Sequence, residues 1–208
     1  MLEGKFSRNF RSETTRYTLA SIVLICNAFI WYSFAFNILK SIINEEALVM
    51  WGTHFVSAVF SAIIGAMLIG KIRKKTPFLI FWMVFGIFSS LILANINSTT
   101  PLNVLTISLL FGLSFGLGLP ASMGYFADST VVENRAKLGG LIACINGLGA
   151  FLLGITAVDD KVLLALTLAI WRGCGLILFL IIKPVQEIAE KHRNVSFKFI
   201  LLVFLYNG

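Results

Sequence analysis

The chain has 208 residues, of which 58% are hydrophobic and only 13% charged, with a mean hydropathy of +0.89. That balance excludes a soluble globular domain, whose surface demands far more charge, and indicates a membrane protein. The net charge of +7 does not point to nucleic acid, because the basic residues gather at the edges of apolar runs, where they set topology and meet anionic lipid.

Six apolar runs follow one another: Leu19 to Leu39, Leu48 to Ile69, Phe78 to Leu93, Val104 to Tyr125, Leu138 to Val158 and Val162 to Ile182. At about 1.5 Å per residue most can cross about 30 Å of hydrocarbon as helices, and the third reaches that length if it extends to Thr76 and Ile96. The fold expected is all-α, a polytopic bundle over residues 19–182 behind a tail over 1–18. The tail is basic, but the first run is too long for a signal peptide and lacks a small-residue cleavage site, so it is retained as a helix.

Within the first run Asn27, Trp31, Phe34 and Ile38 fall on one helical stripe, readable either as a solute-facing surface or as packing with an interhelical amide bond. His54, near one end of the second run, is expected to be a hydrated interfacial residue. The fourth run places Ser108, Gly112, Gly116, Pro120 and Gly124 at four-residue intervals, which strips one face of bulk and predicts close approach by another helix. Gly139, Ala143 and Gly147 repeat the device in the fifth run. Cys26, Cys144 and Cys174 lie in apolar runs without metal or redox spacing, and packing is their expected role.

Arg172 sits ten residues from either end of the sixth run, about 15 Å of helix, too deep to snorkel comfortably. It predicts a partner: an anionic solute group or coupling carboxylate in a functional reading, backbone carbonyls or Asn146 in a structural one. All ten Asp and Glu lie in tails, loops or run ends, so a carboxylate proton relay has no residues inside the spans. H-E-x-x-H, G-x-S-x-G, a P-loop and paired intramembrane aspartates are all missing, which removes the chemistry of the corresponding enzymes; no cofactor or metal site is expected.

Of the 17 Lys and Arg, only Lys40 and Lys161 lie in the loops after runs one, three and five, beside Glu45, Glu46, Asp159 and Asp160. Apart from Arg172, the rest lie in the tail and after the even runs. By the positive-inside rule both termini face the cytoplasm.

Two junctions carry a family likeness. "GAMLIGKIRKK", Gly65 to Lys75, is a basic turn in a helical hairpin, and "YFADSTVVENRAKLGG", Tyr125 to Gly140, joins runs four and five. The chain resembles the major facilitator superfamily over residues 17–183. Gly65 and Met67 correspond to the opening of that family's motif between helices 2 and 3, and Arg73, Lys74 and Lys75 to its basic end. Ile69, Gly70 and Ile72 stand where the motif has Asp, Arg and its second Gly. Ala127, Asp128, Glu133, Asn134, Arg135 and Gly139 correspond to the link between helices 4 and 5. The Arg that many proton-coupled members carry in helix 4 falls at Gly112.

The resemblance implies one six-helix half of a twelve-helix secondary transporter, built as two inverted three-helix repeats. Helices 1 and 4 would line the path, with helices 3 and 6 outside. Substrate-path candidates are then Asn27, Trp31, Phe34, Asn146 and Arg172, and gating-motif candidates Gly65, Arg73, Lys74, Asp128 and Arg135. Residues 183–196 read as a cytoplasmic connection and 197–208 as the truncated start of helix 7. The expected partners are a small solute, the lipid bilayer, and a missing C-terminal half or a second copy, in a multi-pass protein of the plasma membrane. A self-contained six-helix scaffold or a channel-like oligomer is the alternative.

Overall fold

The computed structural model describes residues 2–43, 47–72, 74–95, 100–155 and 160–182, with side chains from Thr15 onward except at 153, 155 and 161. Arg73, the 183–196 connection and the 197–208 segment lie outside the described residues.

Six helices account for nearly all of what is described: α1 (Leu2–Ile42), α2 (Leu48–Lys71), α3 (Lys75–Asn95), α4 (Pro101–Ser129), α5 (Val132–Ile155) and α6 (Lys161–Ile182). Apolar sequence favours helix in lipid because every backbone N–H and C=O then finds its partner within the same segment. Pro101 opens α4, where its missing N–H costs nothing, and the Asp160 side chain accepts from the Val162 N–H at 2.8 Å at the start of α6. Helix α2 ends at Lys71 and α3 begins at Lys75, each closer to the other than the apolar runs indicated. Helix α1 also runs back through the expected tail, so that only Thr15–Ile42 counts as its apolar span.

Five helices are long and apolar enough to cross a membrane: α1, α2, α3, α4 and α6. The protein is thus an integral, multi-pass membrane protein by length and composition. Large apolar side chains face outward along these helices, among them Val56, Phe60 and Ile63 on α2, Phe81 and Phe88 on α3, and Ile170 and Ile181 on α6. In water such surface would be a liability; against lipid tails it is the expected exterior.

The closest packing is between α2 and α4, on the glycine face of α4. A Cβ on Gly112 would lie 2.4 Å from the His54 carbonyl oxygen, and one on Gly116 2.0 Å from that of Ala58. From the other side a Cβ on Gly65 would lie 2.0 Å from the Leu117 oxygen. Backbone meets backbone here, as small residues in membranes allow.

The other packed pairs are α3 with α6, α1 with α6, α1 with α4, α3 with α4, and α1 with α5. Two apolar cores result. One, around Phe34, Leu39, Leu93, Ile107 and Leu168, fills the end that bears the α1–α2 loop. The other, around Leu24, Leu79, Met83, Tyr125 and Phe179, fills the end that bears the α2–α3 turn. Helix α5 is held against α1 by Ile25, Cys26 and Ile142.

The cysteines divide differently from the expectation that all three are packing residues. Cys26 is buried, whereas Cys144 and Cys174 are exposed on the outer faces of α5 and α6. In detergent an apolar maleimide should therefore label Cys144 and Cys174 rapidly and Cys26 only on unfolding. Mass spectrometry of the labelled chain checks this, and early modification of Cys26 would contradict the α1–α5 contact.

Candidate functional site

Between the two cores, at mid-length of α1, α3 and α6, the bundle encloses a charge. Arg172 is fully buried, and its Nη1 donates to the Asn27 side-chain oxygen at 3.1 Å. The Asn27 amide donates in turn to the Trp171 carbonyl at 2.7 Å, and the Trp171 indole N–H donates to the Asn27 carbonyl at 3.1 Å. Helix α6 can come this close because residue 175 is glycine: a Cβ there would lie 2.2 Å from the Asn27 side chain.

Two indoles cover the guanidinium. Its central carbon is 4.2 Å from the centroid of Trp82 and 5.4 Å from that of Trp31, within cation–π range. Both rings are pinned by their own N–H groups, Trp82 to the Ser114 carbonyl and Trp31 to the Ser90 hydroxyl at 2.9 Å. Ser90 donates to the Gly86 carbonyl at 2.8 Å, and Gly86 lies against Arg172 itself. Arginine Nε and Nη2 have no hydrogen-bond partner among the described residues.

Asn27 and Trp31 thus point between α3 and α6 and join Arg172, while Phe34 belongs to the adjoining core. This stripe is the interior face of α1; Phe29, Tyr32 and Phe36 form its half-exposed opposite side. Asn146, named as a possible partner of Arg172, is not in this cluster: it lies half-buried on α5, and Asn27 takes its place. An arginine deep in a span signals the need for a partner, but nothing local to it signals an amide 145 positions away. Trp82, Gly86 and Ser90 carried no sequence signal beyond their apolar or small character.

His54 corrects a second expectation. It is fully buried, not hydrated, between α1, α2 and α4. Its Nδ1 lies 3.1 Å from the Ser108 carbonyl, which can only accept, so the proton sits on Nδ1. In the neutral ring Nε2 then accepts from the Tyr32 hydroxyl at 3.1 Å. Tyr32 stacks on Phe115 with centroids 3.6 Å apart, and Phe36, Trp51 and Phe55 complete an aromatic group.

At the opposite end the gating-motif candidates have separate contacts. Lys75 pairs with Asp128, tying the start of α3 to the last turn of α4. Arg135 donates to the Ala127 carbonyl at 2.7 Å and to Thr130 at 3.3 Å, and the Thr18 hydroxyl donates to the Ser129 carbonyl at 2.8 Å. A cation at a helix C-terminus satisfies free carbonyls and favours the helix dipole. Lys74 is exposed, and Gly65 is a packing position on α2.

No protein family, curated protein or solved structure matches this chain. Among the described residues no three His, Cys, Asp or Glu side chains come together to hold a metal. What the buried cluster offers chemically is a fixed positive charge with directed N–H donors, in a wall of indole and amide, at the depth where a membrane protein tolerates it least.

Proposed function

We propose that the chain is one six-helix half of a secondary transporter that moves a small solute by alternating access, as the resemblance to the major facilitator superfamily implies. The supporting observation is the set of packed helix pairs. Exchanging α1 with α4, α2 with α5 and α3 with α6 leaves that set unchanged: α2 on α4 becomes α5 on α1, α3 on α4 becomes α6 on α1, and the pairs α1 with α4 and α3 with α6 map onto themselves. A two-fold relation between α1–α3 and α4–α6 predicts this invariance. Three spans per repeat is an odd number, so the second repeat would run inverted across the bilayer. All six helices then span, and the distribution of Lys and Arg sets both termini in the cytoplasm of a cell-membrane protein.

On this reading the solute moves along the half-exposed face where α1 and α4 meet, past Phe29, Tyr32 and Phe115, the ring of Phe115 touching both of the others. A second half, or a second copy, closes the other side of the path, and the small-residue face of α5, where a Cβ on Gly139 or Gly147 would meet nothing within 4 Å, suits a close helix partner.

The test uses Phe29→Cys and Phe115→Cys, each in a background where the three native cysteines are alanine, in sealed membrane vesicles of both orientations. A membrane-impermeant maleimide should label both positions from either side, and a Phe88→Cys control on the lipid face from neither. If the two path positions behave like the control, no aqueous path runs there, and the self-contained scaffold replaces the transporter.

A further inference from the structure

His54 reaches the proposed path from behind. Its ring is fully buried between α1, α2 and α4, yet its Nε2 meets the hydroxyl of Tyr32. Tyr32 in turn is half-buried and stacked on Phe115, on the face along which the solute is proposed to move. One hydroxyl thus joins a buried imidazole to that face.

Both protonation states of the ring find partners here. The Ser108 carbonyl, 3.1 Å from Nδ1, accepts from an Nδ1–H whether the ring is neutral or charged. The Tyr32 hydroxyl, 3.1 Å from Nε2, can donate to a bare nitrogen or accept from an Nε2–H. A backbone N–H or carbonyl in its place would suit one state and leave the other with a buried unsatisfied group. Phe55 lies 5.3 Å and Tyr32 5.8 Å from the imidazole, centroid to centroid, and aromatic rings within about 6 Å attract a cation. The helices packed on His54 carry their charged residues at their ends: Lys40 and the tail before Tyr17 on α1, Lys71 on α2 and Asp128 on α4. Among the described residues Tyr32 is the titratable group within hydrogen-bond reach of the ring.

What protonation alters is the free side of the hydroxyl. Against neutral His54 its hydrogen is committed to Nε2 and a lone pair is left over; against charged His54 a lone pair is committed and a hydrogen is left over. One proton balances the step. It joins the Tyr32 oxygen from the path, the former hydroxyl proton passes to Nε2, and the phenol ends neutral with its new hydrogen free.

We infer that His54 is the proton site of the transport path, charged and discharged through the Tyr32 hydroxyl, and that its charge decides whether Tyr32 offers a solute an acceptor or a donor. The coupling ion is then a proton held on an imidazole. This role of His54 rests on the transport reading of the same face.

The test takes the full chain in neutral detergent micelles between about pH 8 and about pH 5, the range over which histidine ordinarily titrates. Nitrogen NMR of histidine-labelled protein should show one ring passing from the Nδ1–H tautomer to the doubly protonated form, its signal lost in His54→Gln and kept in His192→Gln. Ultraviolet resonance Raman reads the tyrosine ring doublet, whose intensity ratio separates a donating phenol from an accepting one. That ratio should change over the same interval, and Tyr32→Phe and His54→Gln should each abolish the change. In sealed vesicles held at one pH on both sides, the ratio of Phe29→Cys labelling from the two sides cancels the pH dependence of the thiol itself. This ratio should differ between about pH 8 and about pH 5, and His54→Gln should remove the difference. If His54→Gln does not fold, Tyr32→Phe takes its place, because it keeps the ring stack. A ring that stays neutral throughout, a tyrosine doublet that does not follow it, or a labelling ratio independent of pH each overturns the proton site. Phe29→Cys that goes unlabelled at every pH overturns the path instead, a failure told apart because the spectra are read without it.

Discussion

Gly116→Leu unfolds the bundle at temperatures where the unmodified protein is stable. The added Cβ falls 2.0 Å from the Ala58 carbonyl oxygen, 2.2 Å from the Ser61 hydroxyl and 2.9 Å from the Ala58 carbonyl carbon. Two of these are backbone atoms of α2, which no rotamer change can move, so α2 and α4 must separate along their whole contact. Leucine gains about 1 kcal/mol over glycine in helix propensity, but overpacking against backbone costs about 3 kcal/mol or more, and the loss decides the sign. Gly147→Leu on α5 is the matched control: a Cβ there meets nothing within 4 Å, so only the propensity gain remains. Denaturant titration in micelles should show a large fall in midpoint for Gly116→Leu and none for Gly147→Leu. Equal effects would mean that α4 does not pack on α2 as described.

Asn27→Ala should be more damaging than Arg172→Met, although the first removes a neutral amide and the second a charge. Without Asn27 the guanidinium stays buried and loses its one side-chain acceptor among the described residues, a penalty of about 3 kcal/mol for an unsatisfied charged group. Arg172→Met removes the buried charge together with its desolvation cost and fills similar volume, leaving only the Asn27 oxygen short of a donor. The double variant should then be more stable than Asn27→Ala alone, a coupling that a mutant cycle measures directly. A single loss for Arg172→Met that exceeds the loss for Asn27→Ala would show that the cation contributes more than it costs.

The six helices were legible because a membrane requires long runs of apolar residue and punishes any unpaired backbone group. The starts at Lys75 and Lys161 agree closely with the runs, and the backward extension of α1 does not, since polar residues carry no run to follow. The four-residue spacing of Ser108, Gly112 and Gly116 foretold a close helix contact, and one is there.

The same spacing in α5 had equal standing in the sequence, yet Gly139 and Gly147 face open space within the described residues. His54 and Arg172 were visible as polar groups in apolar runs, and each demanded a partner or water. That Tyr32 and Ser108 answer the first, and Asn27, Trp31 and Trp82 the second, was not written near either residue. Spans, their order and the distribution of charge between them were determined by the sequence alone, because each depends on a local stretch meeting lipid or water. Which faces meet was decided only by the tertiary structure, because α2 settles on α4, and α6 on α1 and α3, through the sum of many contacts between residues far apart in the chain.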